Sequence, residues 1–212
     1  MVQNTSDVRA GYDRVAGKYA EKIFDELKDK PLDRDLLNRF AEQVCGLGPA
    51  CDMGCGPGQI ARYLRDRGVD TIGIDLSSGM VEVARRLNPD IEFRQGSMVA
   101  LHMADSTLGG IAAFYSIIHI PREDVVNVLR EFRRVLRPNG RLLLAFHIGQ
   151  DVLRLDEWWG ERVSIDFFYF TPDEMEGYLR AAGFEIDDVI QRKPYRDVEH
   201  QSRRAYIVAH KP

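Results

Sequence analysis

No apolar run in this chain approaches the roughly 20 residues that a membrane-spanning helix requires. The first residues, Met-Val-Gln-Asn-Thr-Ser-Asp, lack the basic and then apolar order of a secretory signal. Positive charge is not in excess either. The 29 Lys and Arg stand against 33 Asp and Glu, a net charge of −4 that argues against a nucleic-acid partner, because phosphate binding wants a basic face. Only three cysteines occur, Cys45, Cys51 and Cys55; they form no C-x-x-C pair and fit no common zinc spacing. An odd, sparse count suits a reducing compartment, so a cytoplasmic protein is expected, with no bound metal. At 212 residues the chain fits a single domain with a substantial core.

What is present begins at residues 50–58, Ala-Cys-Asp-Met-Gly-Cys-Gly-Pro-Gly. A short apolar strand ends in Asp52, and Gly54, Gly56 and Gly58 alternate behind it. Alternating glycines let a backbone turn with positive φ or approach a ligand closely. Between a strand and a helix, such a turn lines the crevice at the carboxyl edge of a parallel sheet. Cys51 and Cys55 flank it as small residues in a tight place, with no partner base to make either a thiol nucleophile.

Strands and helices then alternate, which predicts a Rossmann-like, doubly wound, mostly parallel α/β sheet of seven strands closed by an antiparallel C-terminal pair. A helix is expected over 59–67, stopped by Gly68. A second strand over 71–74 ends at Asp75, and Ser77 caps a helix to residue 88. Strands follow over 91–94, 109–116 and 141–147. The helix after Pro121 carries Val125, Val128, Leu129, Phe132 and Leu136 on one face and stops at Pro138-Asn139-Gly140. Thr171, Pro172 and Glu174 spell a capping box for the last helix, ended by Gly183, before strands over 184–190 and 205–210. The domain therefore divides into a helical cap (1–46, helices over 7–27 and 33–45), a core (47–147), an aromatic insertion (148–170) and a C-terminal helix with its strand pair (171–212).

The dinucleotide pattern G-x-G-x-x-G fails, because Gln59 stands where the third glycine belongs. The phosphate-cradling G-x-x-x-x-G-K-[ST] pattern is absent. Asp75 lies 75 − 56 = 19 residues beyond Gly56, where a carboxylate at the sheet edge can accept both hydroxyls of a ribose. An ordinary βα turn and a helix-capping aspartate are the plain alternatives.

With these motifs, over residues 48–147, the chain resembles the class I S-adenosylmethionine-dependent methyltransferases, in their small-molecule branch. That resemblance implies S-adenosylmethionine as cofactor. Asp52, Gly54, Cys55, Gly56 and Gly58 would run under its methionine part, Asp75 would hold the ribose, and Leu76 and Met80 would wall the adenine. The tyrosine-bearing segment from Tyr12 to Ala20 is similar to the helix that closes over the cofactor, which adds Tyr12 and Tyr19, and Tyr115 joins the set. Gly96-Ser97-Met98 stands where the family usually has Gly-Asp, so Ser97 and Met98 would read the adenine without a charged group.

Methyl transfer needs in-line alignment and, for some acceptors, a base. His119 and His147, near the ends of the fourth and fifth strands, are the candidate bases, each with a bland alternative as a bonded loop or core histidine. Trp158 and Trp159 are expected to wall the acceptor, or else to pack the cap on the sheet. Tyr195 and Glu199, in the polar stretch between the last two strands, are candidate acceptor contacts. The expected function is metal-independent methylation of O, N or S on a small metabolite by a monomer or homodimer. A catalytically silent cofactor-binding regulator and a nicotinamide-dependent oxidoreductase are the rival readings.

Overall fold

A computed structural model of the chain describes residues 5–212. Residues 1–4, with which the expected helical cap and N-terminal signal reading begin, lie outside the described residues. Helix α1 (Thr5–Ile23), a 3-10 turn (Glu26–Asp29) and α2 (Pro31–Val44) precede the sheet. Then come β1 (Ala50–Met53), α3 (Gln59–Arg65), β2 (Thr71–Asp75), α4 (Ser78–Leu87), β3 (Glu92–Gln95), β4 (Leu108–Phe114), α5 (Arg122–Val135) and β5 (Leu136–His147). A hairpin of β6 (Val152–Trp158) and β7 (Glu161–Phe168) follows, then α6 (Pro172–Ala181), β8 (Glu185–Arg192) and β9 (Arg204–His210).

The seven-stranded sheet runs β3-β2-β1-β4-β5-β9-β8, with β1 to β5 parallel and β9 antiparallel to both neighbours. This is the doubly wound arrangement expected. Its order reverses between β1 and β4, the switch point at which open α/β sheets form their crevice. Strands β1 and β4, and β5 from Leu142 to Phe146, are almost wholly buried because helices cover both faces: α5 and α6 pack over Ile111, Leu142 and Leu144, while α2 and α3 pack over Ala50, Ala112 and Leu143. No helix among the described residues is long and apolar enough to cross a membrane.

Several expected boundaries move. Helix α3 ends at Arg65, a turn before Gly68. Helix α5 ends at Val135, and Leu136 already pairs with Leu108; residues 137–140 then loop out before Arg141 resumes the register with Gly110. The capping box forms as expected, with Thr171 accepting from the Glu174 amide.

The aromatic insertion is a β-hairpin. Trp158 pairs with Glu161, and the two central residues, Trp159 and Gly160, have φ of 52° and 83°. Two positive φ values make the primed turn that matches the twist of paired strands. One face of this hairpin packs Val163 and Ile165 against Val15 of α1. The N-terminal helix is thereby held between the hairpin and α4.

Gly58 begins α3 at φ 86°, and a Cβ there would stand 2.7 Å from the Phe93 ring. Gly58→Ala is therefore expected to destabilise the fold by about 1–3 kcal/mol, through backbone strain together with overpacking. Urea unfolding that matched the parent would contradict this account of the turn.

Candidate functional site

A cavity of about 750 Å³ lies along the carboxyl ends of β1, β2, β4 and β5. It reaches from Gly54 and Asp75 at one end to His147, Glu199 and Arg204 at the other, under a roof of α1 and the hairpin. Its size is ordinary for small-molecule sites.

Asp75 organises the first end. One carboxylate oxygen accepts from Gly56 N–H and the other from Ser77 N–H, each at 2.8 Å. A carboxylate offers about four lone-pair positions, so acceptor capacity remains beside the backbone bonds for a hydroxyl in the cavity. Burial pushes the Asp75 carboxyl up to about 6, against the pull of these backbone bonds. A Cβ on Gly56 would enter the cavity facing the Tyr19 ring at 3.7 Å, so glycine leaves room for a ligand under that ring. Leu76, Met80, Ser97 and Met98 line the same end, and Ser97 accepts weakly from Val99 N–H at 3.3 Å. A ribose, an adenine ring and an attached chain fit these residues.

Asp52 lines the cavity, and its carboxyl accepts from Ala61 N–H of α3 at 2.9 Å; burial raises it to about 8. Gly58 faces Phe93 and Asn88 in the interior and does not line the cavity. Cys55 lines the cavity, and burial holds its thiol well above the usual range, which disfavours the thiolate.

The roof is aromatic. Trp158 meets the Tyr12 and Tyr19 rings edge-on, at 5.6 Å each, and lies 4.8 Å from Trp159. Asp13, on the same turn of α1 as Tyr12, accepts from Ser77 Oγ and Gly79 N–H at 2.6 and 2.9 Å, and so caps α4 from outside. Sequence reasoning passed over Asp13, because only the docking of α1 on α4 brings it there.

His119 corrects an expectation. Its Nδ1 lies 3.2 Å from the Asp166 carbonyl oxygen, which can only accept, so Nδ1 carries the proton. Nε2 therefore accepts from the Tyr12 hydroxyl at 2.8 Å. Both nitrogens are engaged, and burial lowers the imidazole to about 4. His119 ties α1 and β7 to the sheet edge and has no lone pair free for a proton from the cavity.

At the far end Tyr115 sits at φ 52°, an uncommon conformation for a bulky residue. It is held by a 3.0 Å bond between its hydroxyl and that of Tyr206, with Lys30 and Arg204 over its ring. His147 lies between the Tyr115 and Tyr169 rings, at 5.1 and 5.2 Å. Glu199 receives Arg192, Arg204 and Lys30, while Asp33 receives Arg192 and Tyr206. Of the expected acceptor contacts, Trp158, Trp159 and Glu199 line the cavity and Tyr195 does not. The Tyr195 hydroxyl accepts from Leu32 N–H at 3.2 Å, and its ring is covered by the Arg192 guanidinium. Lys30 and Phe167 also line the cavity. Among the described residues, no group of three or more His, Cys, Asp and Glu side chains is placed to hold a metal ion.

The site is a small-molecule cavity at the switch point of a Rossmann-like sheet. A family model described as a methyltransferase domain matches residues 50–140. The demethylmenaquinone methyltransferase of Beutenbergia cavernae is 31% identical over 142 residues, covering 66% of this chain and 57% of that protein. The chain thus spans less than two thirds of that relative. The enzyme of the same name from Thermotoga maritima is 27% identical over 202 residues, covering 82% of this chain and 86% of that protein. Among solved structures, the magnesium protoporphyrin IX methyltransferase of Synechocystis PCC 6803, with bound SAM, superposes with a TM-score of 0.71 at 16% identity, over 100% of this chain and 99% of that one. The family match gives the chain a methyltransferase domain, and its fold is shared with S-adenosylmethionine-dependent methyltransferases. The nicotinamide reading is thereby set aside, in keeping with Gln59.

The neutral imidazole sets a pH test. The ordinary histidine value is 6.5 and that of folded His119 about 4, so between them the unfolded chain binds a proton that the folded chain refuses. Stability must then rise with pH across that window. Asp75, raised from 3.8 to about 6, has the opposite sign and loses stability as pH rises through its own window. His119→Gln should flatten the rise, measured by urea unfolding at stepped pH; an unaltered slope would contradict the neutral, doubly bonded ring.

Proposed function

We propose that the protein transfers the methyl group of S-adenosylmethionine to O, N or S of a small-molecule acceptor. The observation that carries this reading is the single cavity that joins Asp75 and the glycine turn to a polar end at His147. A sulfonium makes its methyl group electrophilic, so no covalent nucleophile is required of the protein. Asp75 would hold the ribose hydroxyls through the acceptor capacity that its backbone bonds leave free. Leu76, Met80 and Met98 would enclose the adenine, and Tyr12 and Tyr19 would cover the chain that leads to the sulfur. The hairpin acts as a lid that excludes water from the reacting centre.

The acceptor would lie between Leu155, Phe167 and the tryptophans on one side and Tyr115, His147 and Arg204 on the other, which suits a molecule with an apolar body and a polar end. That some relatives are named for demethylmenaquinone and for ubiquinone biosynthesis supports a small-molecule acceptor. The open space between His147 and the tryptophans favours an enzyme over a silent cofactor-binding protein. No metal enters the reaction proposed.

Calorimetric titration should show S-adenosylhomocysteine binding and NAD not binding. Asp75→Ala should weaken the former by about 1–3 kcal/mol, the worth of hydrogen bonds to a charged group. Unchanged affinity in that variant would overturn the ribose assignment, and binding of NAD alone would overturn the function.

A further inference from the structure

His147 is bonded by the protein at one nitrogen only. Its Nδ1 lies 2.7 Å from Ser202 Oγ, while the ring lines the cavity. Ser202 Oγ accepts from Arg204 Nη1 at 3.3 Å and hydrogen-bonds the Tyr169 hydroxyl. Tyr169 in turn bonds His200 Nε2 at 2.9 Å; His200 borders the cavity, with its ring 5.9 Å from that of His147, and is itself exposed to solvent. A hydroxyl has one proton to give. Given to Tyr169, the Ser202 proton leaves a lone pair for His147, so Nδ1 donates and Nε2 is bare toward the cavity.

A proton could not rest on this ring. Burial pushes His147 down to about 3, and Arg204, His200 and Lys30 add to the effect while Glu199 opposes it. The flanking Tyr115 and Tyr169 rings offer no counter-charge. A base that had to store the proton here would work badly; a base that passes it on as it arrives would not.

We propose that His147, Ser202, Tyr169 and His200 form a proton relay that carries the acceptor's proton from the cavity to solvent. The proposal rests on the methyl-transfer reading above. As the acceptor atom bonds to the methyl carbon, the carbon–sulfur bond breaks with its electron pair left on sulfur. The acceptor's proton moves to His147 Nε2, the Nδ1 proton to Ser202, the Ser202 proton to Tyr169 and the Tyr169 proton to His200, which releases one to water. After product leaves, water at the two ends restores the starting tautomer. His147 is the catalytic residue of this step; Ser202 and Tyr169 act through it, and His200 is the outlet.

The test uses the full chain with 15N-labelled histidine, observed by NMR both free and with S-adenosylhomocysteine added. His147 is expected as the Nδ1–H tautomer, exchanging that proton with water. Tyr169→Phe, which keeps the stacked ring, and His200→Gln, a surface change, should each slow the exchange several-fold. A loosened structure would instead speed it, so slowing marks the relay and not damage to the fold. An Nε2–H tautomer, or exchange that neither variant slows, would overturn the relay. Loss of S-adenosylhomocysteine binding with the exchange pattern intact would strike the methyl-transfer reading alone.

Discussion

The Asp75 carboxylate, shared between the backbone amides of Gly56 and Ser77, is the contact on which the site depends. It joins the turn after β1 to the turn after β2, so two loops that would otherwise move independently present one surface. The parallel register of β1 and β2, with Asp52 opposite Gly73 and Met53 opposite Ile74, places both turns at the same sheet edge. From there the argument runs outward. Ser77 caps α4, Asp13 reaches the same helix end from α1, and α1 carries Tyr12 and Tyr19 over the glycines. A ligand entering this end therefore meets a preformed cradle, and little ordering has to accompany binding.

The opposite end rests on buried charge. Lys30, Arg192 and Arg204 face Glu26, Asp33 and Glu199, three cations against three carboxylates, and the side chain of Glu199 is only 3% exposed. Such a cluster is a poor source of stability, because desolvation offsets most of the attraction, and losing one member leaves a charge buried without its partner. Its use here is geometric. It fixes α2, the loop before β9 and β9 itself around Tyr115, whose left-handed backbone stands the ring against His147. Strain of this kind persists where the surroundings over-determine a residue, and it gathers at functional sites.

The core and the first half of the site were legible from the chain because their signals are local. Alternating glycines, an acid ending each of two strands, Ser77 before a helix and the Thr171 capping box each specify their own neighbourhood. The hairpin is less legible: Val163, Ile165 and Phe167 alternate with polar residues and Trp159-Gly160 marks the turn, but the dense run of aromatics masks the two-residue period. His119 and His147 stand alike in the sequence as candidate bases, and only the fold separates them, since Tyr12 is 107 positions from His119 and Ser202 is 55 from His147. Tyr195 failed for the same reason: Leu32 and Arg192 claim it, and nothing near it in sequence says so.

The most direct test of the account is a crystal structure of the protein with S-adenosylhomocysteine. The account predicts Asp75 bonded to both ribose hydroxyls while it keeps its bonds to Gly56 and Ser77, with the sulfur directed toward the His147 end under Tyr12 and Tyr19. Electron density for the ligand elsewhere, or a ribose that makes no contact with Asp75, would contradict it.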